Sequence, residues 1–407
     1  MKCKSVVKGI FLFLLIVGFV SVTMVCAEPT EKPPIKMGIL LSLTGPYTMV
    51  GEPTLKGVQL AYQKRDYKIA GRKIELIVED EEGKPDVGHM KTKKLVEKDN
   101  VQVIFGPVLS STAYAIKDYL RSAKVPLMMI CCGAIGLTRE NISPYYFRTW
   151  HNGAGPYYGA KWAYEKKGCR KAIFAGVDYA YGRELGDSFA KGFTASGGTM
   201  VGEVYTALGT KDFGPYLTKM ARLIQDAGAD CLGWVYAGSD AVGFVTQLQE
   251  YGLRDKFKVV INYAGTILGK TVEMMGPAVN GHYDICPYYK YLDNAANREY
   301  IKLLEKTHGP GYLEAMGAVG YLGGDVIAMA IDQVKGNIED KPRFLEAIRN
   351  VRYDSIFGPF EFDPKDQNQR LNLNVLQWKW INGKPDCVLI DTYPKTRDWW
   401  WATQMKK

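Results

Sequence analysis

In the first part of the chain, apolar and polar positions follow a rhythm that alternates between strands and helices. Residues 35–43 form an apolar run, and residues 74–79 alternate so that Ile74, Leu76 and Val78 share one face. Residues 55–63, between these runs, carry apolar side chains at helical spacing. Strands separated by helices of about 10 to 15 residues predict a parallel sheet covered by helices. The rhythm continues with helices over residues 86–98 and 111–123 and strands over residues 101–105 and 125–130.

The rhythm restarts after Trp150 and predicts a second unit of similar design. A long segment that is apolar on most faces, residues 312–334, predicts a buried helix. The end of the chain, residues 357–391, is rich in strand-like runs and contains an Asn-Gly turn signal. The remaining elements are strands over residues 171–177, 200–205, 229–236 and 257–261, and helices over residues 186–196, 215–227, 239–251 and 343–350.

These patterns predict an α/β protein with two Rossmann-like lobes, each built on a parallel sheet. The second lobe starts at about residue 150, and late elements of the chain return to the two lobes. In open parallel sheets, ligands bind outside the carboxyl ends of the strands. Two facing lobes place those ends across one cleft, so the residues just after each strand are the candidates for ligand contact.

The first residues of the chain have the features of a secretory signal peptide. Three lysines precede an apolar run over residues 9–20, and the segment ends in Val25-Cys26-Ala27. A charged start, a short apolar run and a small-x-small end are typical of such signals. We therefore predict a signal peptide over residues 1–27. Cys26 is where a lipoprotein would carry its lipid, but Val25 before it is larger than lipoprotein processing prefers, so a lipid anchor is not favoured.

The charged residues and cysteines narrow the class of partner. The chain has 52 Lys and Arg against 43 Asp and Glu, and its net charge is +9. The basic residues are dispersed rather than clustered, so we predict no nucleic-acid partner. The cysteines outside the signal peptide match no zinc spacing and do not fix a disulfide pairing. They are Cys131, Cys132, Cys169, Cys231, Cys286 and Cys387.

The sequence carries no motif that would make it an enzyme. It lacks a dinucleotide-binding Gly-x-Gly-x-x-Gly, a phosphate-binding Walker loop and a Gly-x-Ser-x-Gly elbow. The histidines at 89, 151, 282 and 308 are isolated. A Ser-x-x-Lys match at residues 188–191 lacks its partner motifs. We therefore predict a binding protein with no catalytic residues, no metal and no cofactor.

Four stretches, in order along the chain, resemble the branched-chain amino-acid-binding proteins of bacterial ABC importers. The resemblance runs from about residue 35 to residue 391 and is carried by residues 38–46 (GILLSLTGP), 104–112 (IFGPVLSST), 125–138 and 178–182 (DYAYG). It implies the type I periplasmic-binding-protein fold, with three hinge crossovers near residues 148–152, 280–283 and 357–360. These crossovers assign residues 35–149 and 282–356 to the first lobe, residues 150–281 and 357–395 to the second, and residues 396–407 to a C-terminal tail. The resemblance also implies a periplasmic monomer that closes on a small molecule and delivers it to the permease of an ABC transporter. A ligand that binds the closed state better shifts the population toward it.

The resemblance assigns the ligand's carboxylate to Ser110. Ser110, Ser111 and Thr112 lie between a predicted strand and a predicted helix. Hydroxyls and free backbone N–H groups at a helix start form a cradle for a carboxylate, which the helix dipole favours. Plain N-capping is the alternative role, and both roles can hold together when neighbouring hydroxyls divide them.

The loop at residues 131–133 is expected to face Ser110. Family members often have Ala-Ala-Thr there, whereas this chain has Cys131-Cys132-Gly133, so a hydroxyl is lost. Gly133 can still offer its backbone N–H at close range because it has no Cβ. The cysteines have an alternative role as small packing residues, which we favour over redox chemistry.

The remaining candidates come from the second lobe. Tyr181 matches a family tyrosine that lines the side-chain pocket, and Tyr236 is a weaker candidate of the same kind. Tyr263 falls where amino-acid-binding members place the glutamate that accepts the ligand's ammonium group. A buried ammonium without an anionic partner is costly. Either another acid, such as Asp178 or Asp240, supplies the charge, or the ligand lacks an ammonium group.

Two questions stay open at this point. The ligand could be an amino acid of the branched-chain type, or an aromatic acid, an amide or a urea. The partner could be a permease, or the fold could serve as a ligand-sensing receptor module. The three tryptophans at residues 399–401 have no functional explanation in the sequence, and we expect the tail to pack onto a lobe.

Overall fold

The structure is a computed structural model that describes residues 32–150, 153–263, 269–309 and 315–404. The predicted signal peptide, with Cys26, lies outside these residues. Among the residues described, no helix combines the length and apolar character needed to cross a membrane.

The first lobe is built on a sheet in which every strand except the edge strand β2 runs parallel to its neighbour. β1 is almost entirely buried, as expected for a parallel strand covered by helices on both faces. The strands are β1 (Ile35–Leu41), β2 (Lys68–Ile69), β3 (Arg72–Asp80), β4 (Val103–Phe105), β5 (Leu127–Met129) and β6 (Tyr146–Arg148). Their order across the sheet is β2-β3-β1-β4-β5-β6.

The second lobe repeats this design and adds an antiparallel hairpin at one edge. Its parallel strands are β7 (Lys171–Val177), β8 (Thr199–Thr206), β9 (Cys231–Val235), β10 (Val259–Tyr263) and β11 (Tyr283–Cys286). A small antiparallel sheet consists of β12 (Arg352–Ser355), β13 (Gly358–Phe362) and β14 (Gln369–Arg370), and the hairpin consists of β15 (Leu373–Ile381) and β16 (Lys384–Tyr393). The order of the second sheet is β8-β7-β9-β10-β11-β15-β16.

Helices cover both sheets, and their bounds follow the predicted rhythm. They are α1 (Thr48–Gln63), α2 (Pro85–Lys93), α3 (Ser110–Ala123), α4 (Ala154–Lys167), α5 (Ala180–Ala195), α6 (Gly214–Ala227), α7 (Gly238–Glu250), α8 (Lys270–Met275), α9 (Ala295–His308), α10 (Ala315–Gln333), α11 (Lys341–Arg349) and α12 (Trp399–Gln404). Short helical turns occur at Lys94–Lys98, Ile135–Thr138, Arg254–Lys256 and Gly276–Val279.

The long apolar helix predicted near residues 312–334 is confirmed as α10, which packs against α1 in the first lobe. Glycines permit a very close approach of the two backbones. A Cβ on Gly57 would lie 1.9 Å from the carbonyl oxygen of Gly317, and a Cβ on Gly320 would lie 2.1 Å from that of Thr54. The two helices therefore meet with backbone against backbone.

Each lobe has one place where the strand order reverses. In the first lobe, β1 lies between β3 and β4; in the second, β7 lies between β8 and β9. The loops that leave the carboxyl ends of such strands diverge to opposite sides of the sheet and leave a crevice, which is where doubly wound sheets bind ligands. The topology therefore directs attention to the loops after β1, β4, β7 and β9.

The chain changes lobes at positions that differ in part from the prediction. The first passage leads from β6 to α4 and includes residues 151–152, which lie outside the described part. β11 pairs with β10 in the second sheet, so the chain leaves that sheet after Cys286, not at the predicted residues 280–283. The third passage lies between β14 and β15, because the predicted residues 357–360 belong to the small sheet. The predicted lobe boundaries at 282 and 357 therefore need to move to these passages.

Candidate functional site

A small cavity lies between the two lobes, at the strand-order reversal of each sheet. It is lined by Tyr47, Val50, Val108, Cys131, Tyr179, Tyr181, Ala237 and Met316. Its volume is ≈ 20 Å³, which is room for about one water molecule. The lobes are thus closed on each other, and the walls of the cavity are tyrosine rings and aliphatic side chains.

Contacts across the cleft hold the two lobes together at the cavity. The hydroxyls of Tyr47 and Tyr179, one from each lobe, lie 3.2 Å apart. At the start of α7, Gly238 has a φ of +56°, and a Cβ there would lie 2.5 Å from the carbonyl oxygen of Pro46. Glycine at this position meets both the conformational and the steric requirement of the contact.

Ser110 begins α3 and is fully buried beside the cavity. Its Oγ accepts a hydrogen bond of 2.8 Å from the backbone N–H of Ala134. A hydroxyl that accepts one hydrogen bond still has its own proton to donate. The first N–H groups of a helix have no intrahelical acceptor, so the hydroxyl proton and the helix start together form a donor site for an oxygen anion. Ser111, the next residue, is half-buried in the same turn.

Glu81, a buried acid that the sequence prediction missed, hydrogen-bonds the backbone just before this donor site. Its Oε1 accepts hydrogen bonds from the N–H groups of Val108 at 2.8 Å and Leu109 at 3.1 Å, and from the hydroxyl of Ser42 at 2.9 Å. Burial raises the pKa of Glu81. Nothing in the acidic run over residues 79–82 at the end of β3 distinguished this carboxyl from its acidic neighbours.

Thr112 serves this internal carboxyl rather than the cavity. Its methyl group packs against Gly88 of α2, where an added Cβ would lie only 2.3 Å from it. Its hydroxyl is on the side of Glu81 and partly offsets the rise in the pKa of that carboxyl that burial causes. The Thr112 side chain is therefore turned toward α2, whereas the Ser110 hydroxyl lies at Gly133, next to the Tyr181 ring that lines the cavity.

Cys131 and Gly133 lie where the sequence prediction placed them, opposite Ser110. The Cys131 thiol lines the cavity and contacts the carbonyl oxygen of Pro107 at 3.5 Å. A Cβ on Gly133 would lie 2.6 Å from the ring of Tyr181 and 3.2 Å from the Ser110 hydroxyl. The absence of a side chain at this position is what allows Tyr181 to close over Ser110.

Tyr181 and its neighbour Tyr179 form the second-lobe wall of the cavity. Their ring centroids are 6.0 Å apart, with the planes 28° from parallel. Burial raises the pKa of both phenols, so both are neutral at physiological pH. Tyr179 was missed as a contact residue, although it stands in the DYAYG stretch that identified this loop.

Three further candidate residues, Tyr236, Asp178 and Tyr263, lie away from the cavity. Tyr236 packs against Phe213 and Phe244 in the core of the second lobe, with ring centroids 5.5 and 4.8 Å away. The residue after it, Ala237, reaches the cavity instead. Asp178 is half-exposed and pairs with Arg183 at 2.7 Å.

Tyr263 is also a core residue, which corrects the idea that it replaces a glutamate in the cavity. Its ring lies between Phe174 and Phe189, at centroid distances of 6.5 and 5.6 Å, and against Gly159 of α4. The side chain of the last residue of β10 therefore points into the second lobe. The loop that follows, residues 264–268, lies outside the described part. Asp240, the other acid considered, accepts a hydrogen bond from the N–H of Gly209 at 2.9 Å.

A hydrogen-bond clamp joins the lobes beside the cavity. Glu184 of α5 accepts a 2.6 Å hydrogen bond from the N–H of Ile135 and another from the hydroxyl of Tyr114, both in the first lobe. Burial raises the pKa of Glu184. Arg148 donates at 2.7 Å to the carbonyl oxygens of Cys132 and Ala134. The loop opposite Ser110 is thus fixed from the hinge and from the second lobe.

The cavity is lined by neutral groups. Its described lining contains phenols, a thiol and apolar groups, but no carboxylate and no basic side chain. Burial raises the pKa of the Cys131 thiol, so it is protonated and unreactive at neutral pH. Within the described ranges, no group of three or more His, Cys, Asp or Glu residues is placed to hold a metal ion.

Comparison with known proteins gives consistent matches over nearly the whole chain. A model of the periplasmic binding protein family matches residues 34–385. The Leu/Ile/Val-binding protein homolog 6 of Brucella melitensis is 23% identical over 346 residues, which cover 83% of this chain and 86% of the relative.

Two solved structures extend the comparison. An ABC transporter substrate-binding protein from Sphaerobacter thermophilus is 33% identical, with a TM-score of 0.83, and the match covers 90% of this chain and 99% of that one. A solute-binding protein of an ABC transporter from Rhodopseudomonas palustris, solved in complex with p-hydroxybenzoic acid, is 25% identical, with a TM-score of 0.82. That match covers 92% of this chain and 100% of the other.

Proposed function

Because the chain belongs to the periplasmic binding protein family, we propose that it captures a small carboxylate between its lobes and delivers it to an ABC transporter. The observation that carries this proposal is the donor site at the start of α3. Ser110 begins α3 two residues after Val108, which lines the cavity, so the Ser110 hydroxyl and the first N–H groups of the helix lie next to one end of an otherwise apolar and aromatic cavity. Such an end binds an oxygen anion, and the remaining walls fit an uncharged body.

The described lining favours an acid that carries no ammonium group. An amino acid would bring a buried cation into a cavity whose described walls hold no carboxylate, at a considerable cost in desolvation. Aromatic rings would instead stack well on Tyr179 and Tyr181. The relative from Rhodopseudomonas palustris, which holds p-hydroxybenzoic acid, is consistent with a ligand of this class.

A branched-chain amino acid is the second candidate ligand. The relatives in Brucella are named for leucine, isoleucine and valine, and the aliphatic side chains of Val50, Val108 and Met316 would suit such a body. A ligand of either class needs more room than ≈ 20 Å³. It must therefore enter an open form, and its binding then selects the closed one.

A thermal-shift screen on the purified mature protein separates these ligand classes. We expect 4-hydroxybenzoate to raise the melting temperature, 4-hydroxybenzyl alcohol (the same ring without the carboxylate) to leave it unchanged, and leucine to have little effect. If leucine stabilises the protein and 4-hydroxybenzoate does not, the amino-acid candidate replaces the aromatic one. If the alcohol stabilises it as much as the acid, the carboxylate site is wrong.

Transport, rather than sensing or catalysis, is the role we propose for the complex. A receptor module of the same fold would have the same cleft, so ligand binding alone does not distinguish transport from sensing. Uptake of the bound compound by cells that lack this protein does distinguish them. We expect uptake to fall and the compound to be recovered unchanged from the protein. Normal uptake in such cells, or turnover of the compound, would contradict the proposal. We also expect the mature protein to be a monomer in light scattering.

A further inference from the structure

The C-terminal strap, residues 396–401, runs beyond the last strand of the second lobe and is anchored at several points. The N–H and hydroxyl of Thr396 donate to the carbonyl oxygen of Leu371 at 3.0 and 3.1 Å, at the third passage between the lobes. Arg397 pairs with Asp363 of the small sheet at 2.5 Å. These contacts fix the beginning of the strap at the hinge.

The centre of the strap makes a buried ion pair with the first lobe. Asp398 accepts two hydrogen bonds from Arg139, at 2.9 Å from Nε and 2.7 Å from Nη2. The exposed fractions of the two side chains are 0% for Asp398 and 8% for Arg139. Removing one partner of such a pair leaves an uncompensated buried charge, which is strongly unfavourable. The pair is therefore a firm attachment, unlike an ion pair on the surface.

Trp399 links this attachment to the second lobe. Its ring stacks on Tyr157 of α4, with centroids 5.8 Å apart and planes 16° from parallel. The guanidinium of Arg139 lies 4.8 Å from the Trp399 ring. A residue beyond the last strand thus contacts a first-lobe cation and a second-lobe aromatic ring at the same time.

The ion pair also fills the space beside the first passage between the lobes. A Cβ on Gly153 would lie 2.2 Å from Nη2 of Arg139, 3.1 Å from Oδ1 of Asp398 and 2.9 Å from the hydroxyl of Ser188 on α5. A change in the angle between the lobes must therefore move the residues around Gly153 relative to the ion pair.

Arg139 is the last residue of the loop that faces the cavity. This cavity loop, residues 131–139, contains Cys131, Gly133 and the Ala134 N–H that hydrogen-bonds Ser110. Glu184 fixes its middle at Ile135, and Asp398 fixes its end. The strap therefore reaches the ligand site through the cavity loop without touching the cavity.

We propose that Asp398 and Trp399 are positioning residues that hold the cavity loop in its ligand-binding arrangement and favour the closed form. This inference rests on the proposed function for its ligand, but the strap's effect on closure is independent of the ligand. It gives the tryptophan-rich tail a role in affinity: the strap lowers the free energy of the closed form, so a bound molecule leaves more slowly.

The test measures lobe opening and dissociation separately. Spin labels are attached to cysteines introduced at Lys84 on the first lobe and Lys211 on the second, both exposed, and their distance is measured without ligand. We expect Asp398→Asn and Trp399→Ala to shift the distances toward longer values. We also expect faster dissociation of 4-hydroxybenzoate, by about fivefold or more. Asp391→Asn on β16 removes the same charge away from Arg139 and should match the wild type.

Several outcomes separate a positioning role from a structural one. Asp398→Glu keeps the charge and should recover part of the wild-type distance distribution even if Asp398→Asn folds poorly. A lower melting temperature with unchanged label distances and an unchanged dissociation rate would overturn the inference. If 4-hydroxybenzoate does not bind at all, the proposed ligand class fails, while the label distances still decide whether the strap restrains opening.

Discussion

At the scale of single residues, the binding site depends on the missing side chain at Gly133. Ser110 supplies the hydroxyl, but Tyr181 can cover it only because position 133 carries no Cβ. Side chains in closed interiors pack at crystal-like density, so an added methyl group has to displace the ring or the loop. The site thus depends on the Ser110 hydroxyl and on the lack of a side chain at Gly133.

The substitution Gly133→Ala tests this reading. The new methyl group would lie 2.6 Å from the Tyr181 ring, and an overpacking cost of about 1–3 kcal/mol in the closed form corresponds to binding that is roughly 5- to 150-fold weaker. Gly155→Ala is the matched control, since a Cβ there meets nothing within 4 Å. Equal affinities for 4-hydroxybenzoate in calorimetry would show that Tyr181 does not close over Ser110.

His282 makes a residue-scale prediction about pH. It is fully buried, and desolvation lowers its pKa to about 3 from 6.5. Between these values the unfolded chain binds a proton that the folded chain does not. Stability should therefore fall as the pH drops below about 6.5, by up to about 1.4 kcal/mol per pH unit from this group. Above pH 6.5 the imidazole is neutral in both states and contributes no slope.

Urea denaturation at several pH values measures this effect. His282→Leu removes the titrating group from a site where neither ring nitrogen has a hydrogen-bond partner among the described residues. We expect the variant to lose less stability than the wild type between pH 6.5 and pH 4. Parallel profiles for the two proteins would show that His282 is not the group responsible.

At the scale of elements, the backbone contact between α1 and α10 leaves no room for an added side chain. Gly57→Ala would place a methyl group 1.9 Å from the carbonyl oxygen of Gly317, so the helices must separate. We expect a loss of about 2 kcal/mol in the free energy of unfolding, within the usual range for overpacking. Urea denaturation measures it, again beside Gly155→Ala, which should cost nothing. A Gly57→Ala variant as stable as the wild type would mean that the helices are not in backbone contact.

Periodicity predicted where elements occur better than it predicted which side chains they bury. The alternation in β3 placed Val78 on the same face as Ile74, which is buried, yet the exposure of Val78 is 36%, while Glu79 on the opposite face is buried. Glu79 pairs with Lys91 at 2.7 Å and Lys94 at 2.6 Å. Such ion pairs depend on where α2 packs, and a pattern within one strand contains no information about that position.

At the same scale, the candidate site was predictable where a residue follows directly from a strand-to-helix junction. Ser110 and Tyr181 stand at the starts of α3 and α5; Tyr181 lines the cavity, and the Ser110 hydroxyl lies next to it at Gly133. Tyr236 directly follows β9 and Tyr263 is the last residue of β10, where one step along the chain reverses the face to which a side chain points. That single step separates Tyr236 in the core from Ala237 in the cavity wall.

At the scale of the whole molecule, the two-lobed α/β architecture was readable from the sequence, but the passages between the lobes were not. A short apolar run indicates a strand without naming the sheet it joins, so β11 and β13 were placed in the wrong lobe or taken for a linker. Neither Glu81 nor the Arg139–Asp398 pair could be predicted, because each joins groups far apart in sequence.

The whole-molecule account requires that one carboxylate bind between the lobes through Ser110. Isothermal titration of 4-hydroxybenzoate into the wild type and Ser110→Ala, with Ser196→Ala at the end of α5 as the control, tests this most directly. We predict one site per chain and affinity about 10- to 100-fold weaker in Ser110→Ala, as expected for a lost hydrogen bond to a charged group. Ser196→Ala should bind like the wild type. Equal affinity of Ser110→Ala and the wild type would contradict the account.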